Sequence, residues 1–201
     1  NLPAVLITVA VTALLAKGAR ESATLNIGLV VIKIVALAVF VGLTFTVIKA
    51  HNFTPFMPYG FAAHTEAGHP RGVMAAAAIV FFAFFGFDAV STSAEEVKNP
   101  KRDLTIGIIG SMVICTAIYM LVAACAVGAW PYAEFARSSE PLAFILRGLG
   151  HPAAAFGIAA AAIIALPSVI LVMMFGQTRV FFVMARDGLL PRGLGRLNPK
   201  S

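Results

Sequence analysis

A chain of 201 residues, 60% hydrophobic and 12% charged, with a mean hydropathy of +0.91, falls outside the balance of a soluble domain. Its apolar residues gather in runs near the length that spans a hydrocarbon layer as helix, so the fold class is an all-α membrane protein in contact with lipid bilayer. The net charge of +6 comes from Lys and Arg scattered singly through the connectors; no basic and aromatic patch accompanies them, and no nucleic-acid partner is expected.

Five apolar runs, residues 2–16, 25–48, 73–94, 106–130 and 153–184, make residues 1–201 a single transmembrane domain. The first run is short. The chain opens inside it, at NLPAVLITVA, and stops at GRLNPKS, so it reads as a piece of a longer membrane protein. The connector AKGARES follows, with Lys17 and Arg20.

The second run holds Lys33, eight residues in from Leu25, which is roughly 12 Å at helical rise. A charge at that depth costs at least about 2.5 to 3.5 kcal/mol, which makes Lys33 a functional candidate. The plainer alternative is a stem that reaches back to the interface.

The connector 49–72 carries only Lys49 and Arg71 as strong bases, together with His51, His64 and His69. The histidines read as solvated loop residues. Asn52, Phe53 and Thr54 form a glycosylation sequon that matters only in a secretory pathway.

The third run contains IVFFAFFGFDAVSTSAEE, residues 79–96, where a carboxylate, Asp88, follows five phenylalanines and a glycine. Phe81, Phe82, Phe84, Phe85 and Phe87 advance by about 100° per residue as helix, so they cannot all face lipid, and some line the protein interior. Ala83 and Gly86 remove bulk between them, as suits close backbone approach to a ligand or an interrupted helix. We expect the span to be broken near residues 82–88. Unpaired backbone groups at such a break suit a zwitterion. For Asp88 the alternative is a helix-end carboxylate exposed to water.

After EEVKNPKRDL, with Lys98, Lys101 and Arg102, the fourth run holds Cys115 and Cys125, ten residues apart. They are too distant along a helix to bond each other and lack metal spacing, so both read as packing residues. The connector 131–152 carries Arg137, Arg147 and His151. Its SSEPLAFILRGLG reads as a short helix capped by Ser139 and ended by Gly148. The fifth run is long enough to rise about 45 Å, so it tilts, extends past the bilayer or bends at Pro167. RDGLLPRGLGRLNPK follows, with Arg186, Arg192, Arg196 and Lys200. The three basic connectors hold nine Lys and Arg, which assigns them to the cytoplasm and the other two to the outside.

The ordered stretch FFAFFGFDAVSTSAEEVKNPKRDLTIGIIGSMVICT, residues 81–116, resembles the cationic amino acid transporter family of the amino acid–polyamine–organocation superfamily, its bacterial members in particular. NLPAVLITVAVTALLAKGARESATLN, GLVVIKIVALAVF and GQTRVFFVMARDGLLP carry the same likeness, which covers most of the chain apart from the outer loops. The resemblance implies a leucine-transporter-type fold of about twelve helices in two inverted repeats. Of these the chain would hold the fourth to eighth, and the missing helices of the full-length protein would complete the site.

Carried over, the backbone of Phe82, Ala83, Phe84 and Phe85 would meet the substrate ammonium, with Gly86 and Phe87 completing the binding segment. Phe84 and Phe85 stand where the family often has Tyr and an aliphatic residue. Lys33 matches a lysine that, in proton-coupled members, takes the place of a sodium ion. Ser168 matches a hydroxyl residue lining that place, while Pro167 departs from the commoner hydroxyl beside it. Asp88 is either a second titrating group or an organiser of the cytoplasmic half of its helix.

The expected function is a proton-coupled amino acid permease working by alternating access, in the cell membrane, a bacterial inner membrane by the same likeness. The proton is the coupling ion, with no cofactor and no metal. A sodium-coupled symporter or an exchanger on the same scaffold is the alternative. A membrane enzyme is disfavoured, since no nucleophile–base pair or phosphate loop lies in any run. Neutral substrates stand beside cationic ones.

Overall fold

The computed structural model describes residues 2–17, 19–66, 68–84, 86, 97 and 99–191. Helices dominate: α1 (Leu2–Lys17), α2 (Ala19–Phe45), α3 (Val73–Phe81), α4 (Pro100–Ala129), α5 (Tyr132–Phe135), α6 (Pro141–Gly148) and α7 (Pro152–Arg186). Short 3₁₀ turns cover Ala50–Phe53 and Phe82–Phe84. Strands β1 (His64–Glu66) and β2 (His69–Arg71) form an antiparallel hairpin, with His64 opposite Arg71 and Glu66 opposite His69.

Among the described residues three helices are long and apolar enough to cross a membrane: Thr24–Phe45 within α2, α4 and α7. Ala4–Leu15 and Val73–Phe84 are apolar but shorter. The all-α membrane class therefore holds, with one small hairpin outside the helices.

The helix bounds show what hydropathy alone misses. Helix α4 starts at Pro100, ahead of the apolar run, because the Asn99 carbonyl accepts the amides of Arg102 and Asp103. A proline in the first turn needs no amide partner, and Asp103 complements the helix dipole there. At the C-terminal end of α2, the buried Thr44 hydroxyl donates to the Phe40 carbonyl at 2.7 Å. The chain then turns, and the Lys49 amide reaches the Gly128 carbonyl.

Helix α6 is capped otherwise than expected. Its N-cap is Glu140, which makes no side-chain cap bond; the Ser138 hydroxyl accepts the Glu140 amide instead. At the other end Gly150, not Gly148, takes the left-handed conformation, with φ +83°. The amides of Gly150 and His151 close back on Arg147 and Leu146. Gly148 serves packing, since a Cβ there would stand 2.7 Å from the Trp130 ring.

The 35-residue α7 continues through Pro167 without interruption. Its length is about 52 Å at helical rise. Proline cannot donate to the Ile163 carbonyl one turn back, so the ladder lacks a rung at that point.

The chain divides into two compact units, Asn1–Ala36 with Gly86–Ile109 and Ala159–Ser201, and Leu37–Phe85 with Gly110–Ile158. Val11, Ala161, Ser168, Leu171 and Ala185 are buried in the first; Phe40, Thr44, Cys125, Ile145 and Leu146 are fully buried in the second. Many large apolar side chains elsewhere on the helices are exposed, such as Ile27, Val113, Ile114 and Ile163. Apolar surface on this scale calls for lipid or further protein as its cover.

Candidate functional site

The third apolar run stops being α-helical where its phenylalanines begin. Four consecutive alanines, Ala75 to Ala78, favour helix, whereas Ile79, Val80 and the aromatics after them favour it less. Helix α3 ends at Phe81, and the Phe82 amide bonds to the carbonyls of Ile79 and Val80, tighter than α-helical spacing. A 3₁₀ turn carries the chain through Phe84, and Gly86 takes φ +119°, a conformation that residues with a Cβ avoid. Phe81 and Phe82 present exposed rings, edge to face at 6.1 Å.

The turn is tied to α4. Tyr119 donates its hydroxyl to the Ala83 carbonyl at 3.2 Å, and its ring meets Phe84 edge on, with centroids 5.4 Å apart. Gly86 lies against α7, where an added Cβ would stand 3.1 Å from the terminal methyl of Met173.

The lysine within the apolar run of α2 also has a partner in a distant helix. Lys33 donates from Nζ to Ser168 Oγ at 2.6 Å, and the Ser168 hydroxyl donates in turn to the Ala165 carbonyl at 2.8 Å. Ser168 is only 2% exposed. Helices α2 and α7 are thus joined by a charge-assisted bond, the stronger kind. Serine both donates and accepts, so it can serve Lys33 as ammonium or as neutral amine.

Of the residues singled out in the sequence, the structure brings Lys33 and Ser168 into contact and places Ala83 and Phe84 against Tyr119. It sets Gly86 beside Met173 and leaves Phe82 exposed. Phe85, Phe87 and Asp88 lie outside the described residues. Sequence reasoning missed Tyr119 and Met173. A signal existed for Tyr119, because a tyrosine hydroxyl within a lipid-spanning run needs a partner. None existed for Met173. Among the described residues no cluster of His, Cys, Asp and Glu could hold a metal ion.

The chain matches the amino acid permease family over residues 2–201. The branched-chain amino acid permease BcaP of Bacillus subtilis (strain 168) is 44% identical over 200 residues, which are 100% of this chain and 41% of that protein. The methylthioribose transporter of the same organism is 38% identical over 199 residues, 99% of this chain and 41% of that protein. Cationic amino acid transporter 9, chloroplastic, of Arabidopsis thaliana is 35% identical over 199 residues, 99% of this chain and 33% of that protein.

The chain spans well under half the length of these relatives, and all of them are named as permeases or transporters rather than enzymes. The resemblance read from residues 81–116 holds. With spans long enough for a bilayer and a family match along almost its whole length, the chain is a membrane protein of the amino acid permease family.

Proposed function

We propose that the full-length protein is a secondary active permease that carries amino acids across the cell membrane by alternating access, driven by proton symport. The observation that carries this reading is the bond between Lys33 and Ser168 inside the spans. By the resemblance, sodium-coupled relatives hold a metal ion in that place. Here an ammonium supplies the positive charge, and it can leave and return as a proton, which a bound metal cannot do. Asp88 is a candidate second titrating group.

The segment 82–87 is the proposed substrate site. Its turn offers backbone acceptors such as the Ala83 carbonyl to an ammonium, and its aromatic rings offer apolar surface to a side chain. That surface supports a neutral aliphatic substrate, as do two relatives named for branched-chain amino acids, one 44% and one, from Lactococcus lactis, 31% identical. The basic connectors are proposed to face the cytoplasm. The bacterial relatives support a bacterial inner membrane as the location.

A second reading comes from the methylthioribose transporter, which matches the same length of chain under a different cargo name. Uptake by the full-length protein in liposomes separates the two. Leucine, isoleucine, valine, lysine, arginine and methylthioribose are offered in turn under an imposed proton or sodium gradient. Concentrative uptake of leucine driven by outside acid is the expected result. Uptake driven only by sodium, uptake of methylthioribose alone, or exchange that ignores both gradients would each replace the reading.

A further inference from the structure

We propose that the cavity between the connector 49–72 and the end of α4 binds a membrane phospholipid with a negatively charged headgroup. One acyl chain lies in the cavity, and the phosphate meets the guanidinium of Arg71.

The cavity begins with a latch at the helix end. The last turn of a helix leaves carbonyls without an intrahelical amide. At Gly128 the carbonyl accepts both the Lys49 amide at 2.9 Å and the Asn52 side-chain amide at 2.8 Å. The connector is thereby held beside α4, and a space of about 490 Å³ lies between Phe53, Phe56 and Tyr59 on one side and Ala123, Ala124 and Val127 on the other. The two alanines end at Cβ, which leaves the helix side of the space unfilled.

The walls set what fits. Apart from Asn52, whose amide is committed to Gly128, only Tyr59 and Tyr132 bring polar side-chain atoms to the lining. An apolar space of this volume lies within the roughly 300–1,000 Å³ of ligand sites, and it exceeds what the side chain of one amino acid fills. A hydrocarbon chain suits it. Its place agrees, since Ala123, Ala124 and Val127 belong to the last two turns of a helix long and apolar enough to cross a membrane. Trp130 and Tyr132 follow, where amphipathic rings mark a membrane interface. On the same connector Phe56, Met57 and Phe61 are exposed, and such side chains belong in lipid rather than in water.

Arg71 supplies the charge. Its Cζ stands 4.3 Å from the centroid of the Tyr59 ring, which lines the cavity. The side chain is partly buried, its Nε fully so, and among the described residues no acceptor meets that N–H. The ion pairs among described side chains lie elsewhere, at Arg147 with Glu140 and at Arg186 with Asp187. A guanidinium drawn this far from water costs free energy unless a counter-charge faces it, and a phosphate fits its planar fork with two bonds at once. His64 stands opposite Arg71 in the hairpin, so a second base shares that face, while the carboxylate of Glu66 is placed opposite His69. A soluble anion would satisfy the guanidinium and leave the apolar cavity unused. A phospholipid answers both in one molecule.

The test uses the full-length protein in vesicles of phosphatidylcholine with a trace of phosphatidylglycerol that carries a photoreactive diazirine at the end of one acyl chain. After irradiation the adducts are mapped by mass spectrometry, each as a share of all label on the protein. Label is expected to concentrate on residues 52–59 and 123–132, which hold the lining. The same diazirine chain on phosphatidylcholine should label these segments about tenfold less. Arg71→Gln should bring phosphatidylglycerol down to that lower share, whereas Arg71→Lys, which keeps the charge, should stay within about threefold of wild type. Ala124→Phe, which fills the cavity without touching the charge, should lower the share for both lipids. An excess of glycerol 3-phosphate, a headgroup without chains, should not protect.

Label spread over the apolar helices without preference, or absent from both segments because another part of the full-length protein covers them, overturns the proposal. Equal labelling by the two lipids, or undiminished labelling of Arg71→Gln, does the same. Protection by glycerol 3-phosphate would make Arg71 a site for a soluble anion instead.

Discussion

Lys33 and Ser168 stand 135 positions apart in the chain and 2.6 Å apart in space, joined through a hydroxyl that in turn donates a hydrogen bond to the Ala165 carbonyl. The pair links two helices that are each long and apolar enough to cross a membrane, so a change at the amine is felt by both. A proton leaving Lys33 converts a charge-assisted bond into a neutral one, roughly half as strong. Under the proposed function, this loosening is what couples proton movement to the helices.

Lys33→Ala should therefore abolish acid-driven accumulation of leucine, with uptake down at least about tenfold, while substrate counterflow without a gradient persists. Lys33→Arg should fail in the same way, because a guanidinium keeps its proton. Paired uptake and counterflow assays in liposomes check both. Full pH-dependent uptake in either variant would remove Lys33 from the coupling.

Ser168→Ala should act on stability as well as transport. The hydroxyl is almost fully buried, and its loss strips Lys33 of an acceptor and the Ala165 carbonyl of a donor, at a cost of about 1–3 kcal/mol. A lower Tm of the detergent-solubilised protein is the readout. Ser168→Thr keeps a hydroxyl that can make both bonds and should hold most of the wild-type Tm. Equal melting of Ser168→Ala and wild type would assign the hydroxyl no structural weight.

Much of this site was legible in the sequence because its parts violate a rule that lipid imposes. A lysine in an apolar run is conspicuous, which singles out Lys33 from its surroundings alone, whereas Ser168 follows only from the family resemblance. Tyr119 was not named, because its partner is a backbone carbonyl, which has no letter in the sequence. Met173 is an ordinary apolar residue, and only the backbone of Gly86 close beside it gives it meaning.

The same division runs through the fold. Long spans follow from hydropathy, yet α4 begins in the polar residues Asn99 to Asp103, where capping and not apolarity sets the start. By residue type Gly148 reads as a helix end, whereas the ring of Trp130 explains it and Gly150 does the capping. The hairpin between His64 and Arg71 shows no apolar alternation. Where the chain leaves β2 for the next helix, Gly72 takes φ +95° and a Cβ there would collide with the Ala62 carbonyl oxygen.

Gly86→Ala should impair transport through the backbone. At φ +119° an L side chain is strained by about 1–3 kcal/mol. The added methyl also approaches Met173, at 3.1 Å, but a methionine end moves cheaply. Leucine uptake is expected to fall about tenfold, and the double variant Gly86→Ala with Met173→Ala should not recover it. Recovery in the double variant would show that crowding, not strain, is the fault.

Gly148→Ala and Gly150→Ala should both destabilise the connector 131–152, for different reasons that one further substitution separates. At Gly148 the new Cβ would stand 2.7–3.1 Å from the Trp130 ring. That ring cannot swing away freely, because its Nε1 donates to Glu134 at 2.8 Å and it packs perpendicular to the Phe144 ring, with centroids 6.3 Å apart. Overpacking of this kind costs about 1–3 kcal/mol. At Gly150 space is open, and the cost comes from φ +83° alone. Trp130→Phe gives up the indole's second ring, so it should relieve Gly148→Ala and leave Gly150→Ala unrelieved. Thermal unfolding of the four single and double variants beside Trp130→Phe itself supplies the coupling energies. Equal coupling at the two glycines would mean that Trp130 does not discriminate between them and that Gly148 is held by its backbone after all.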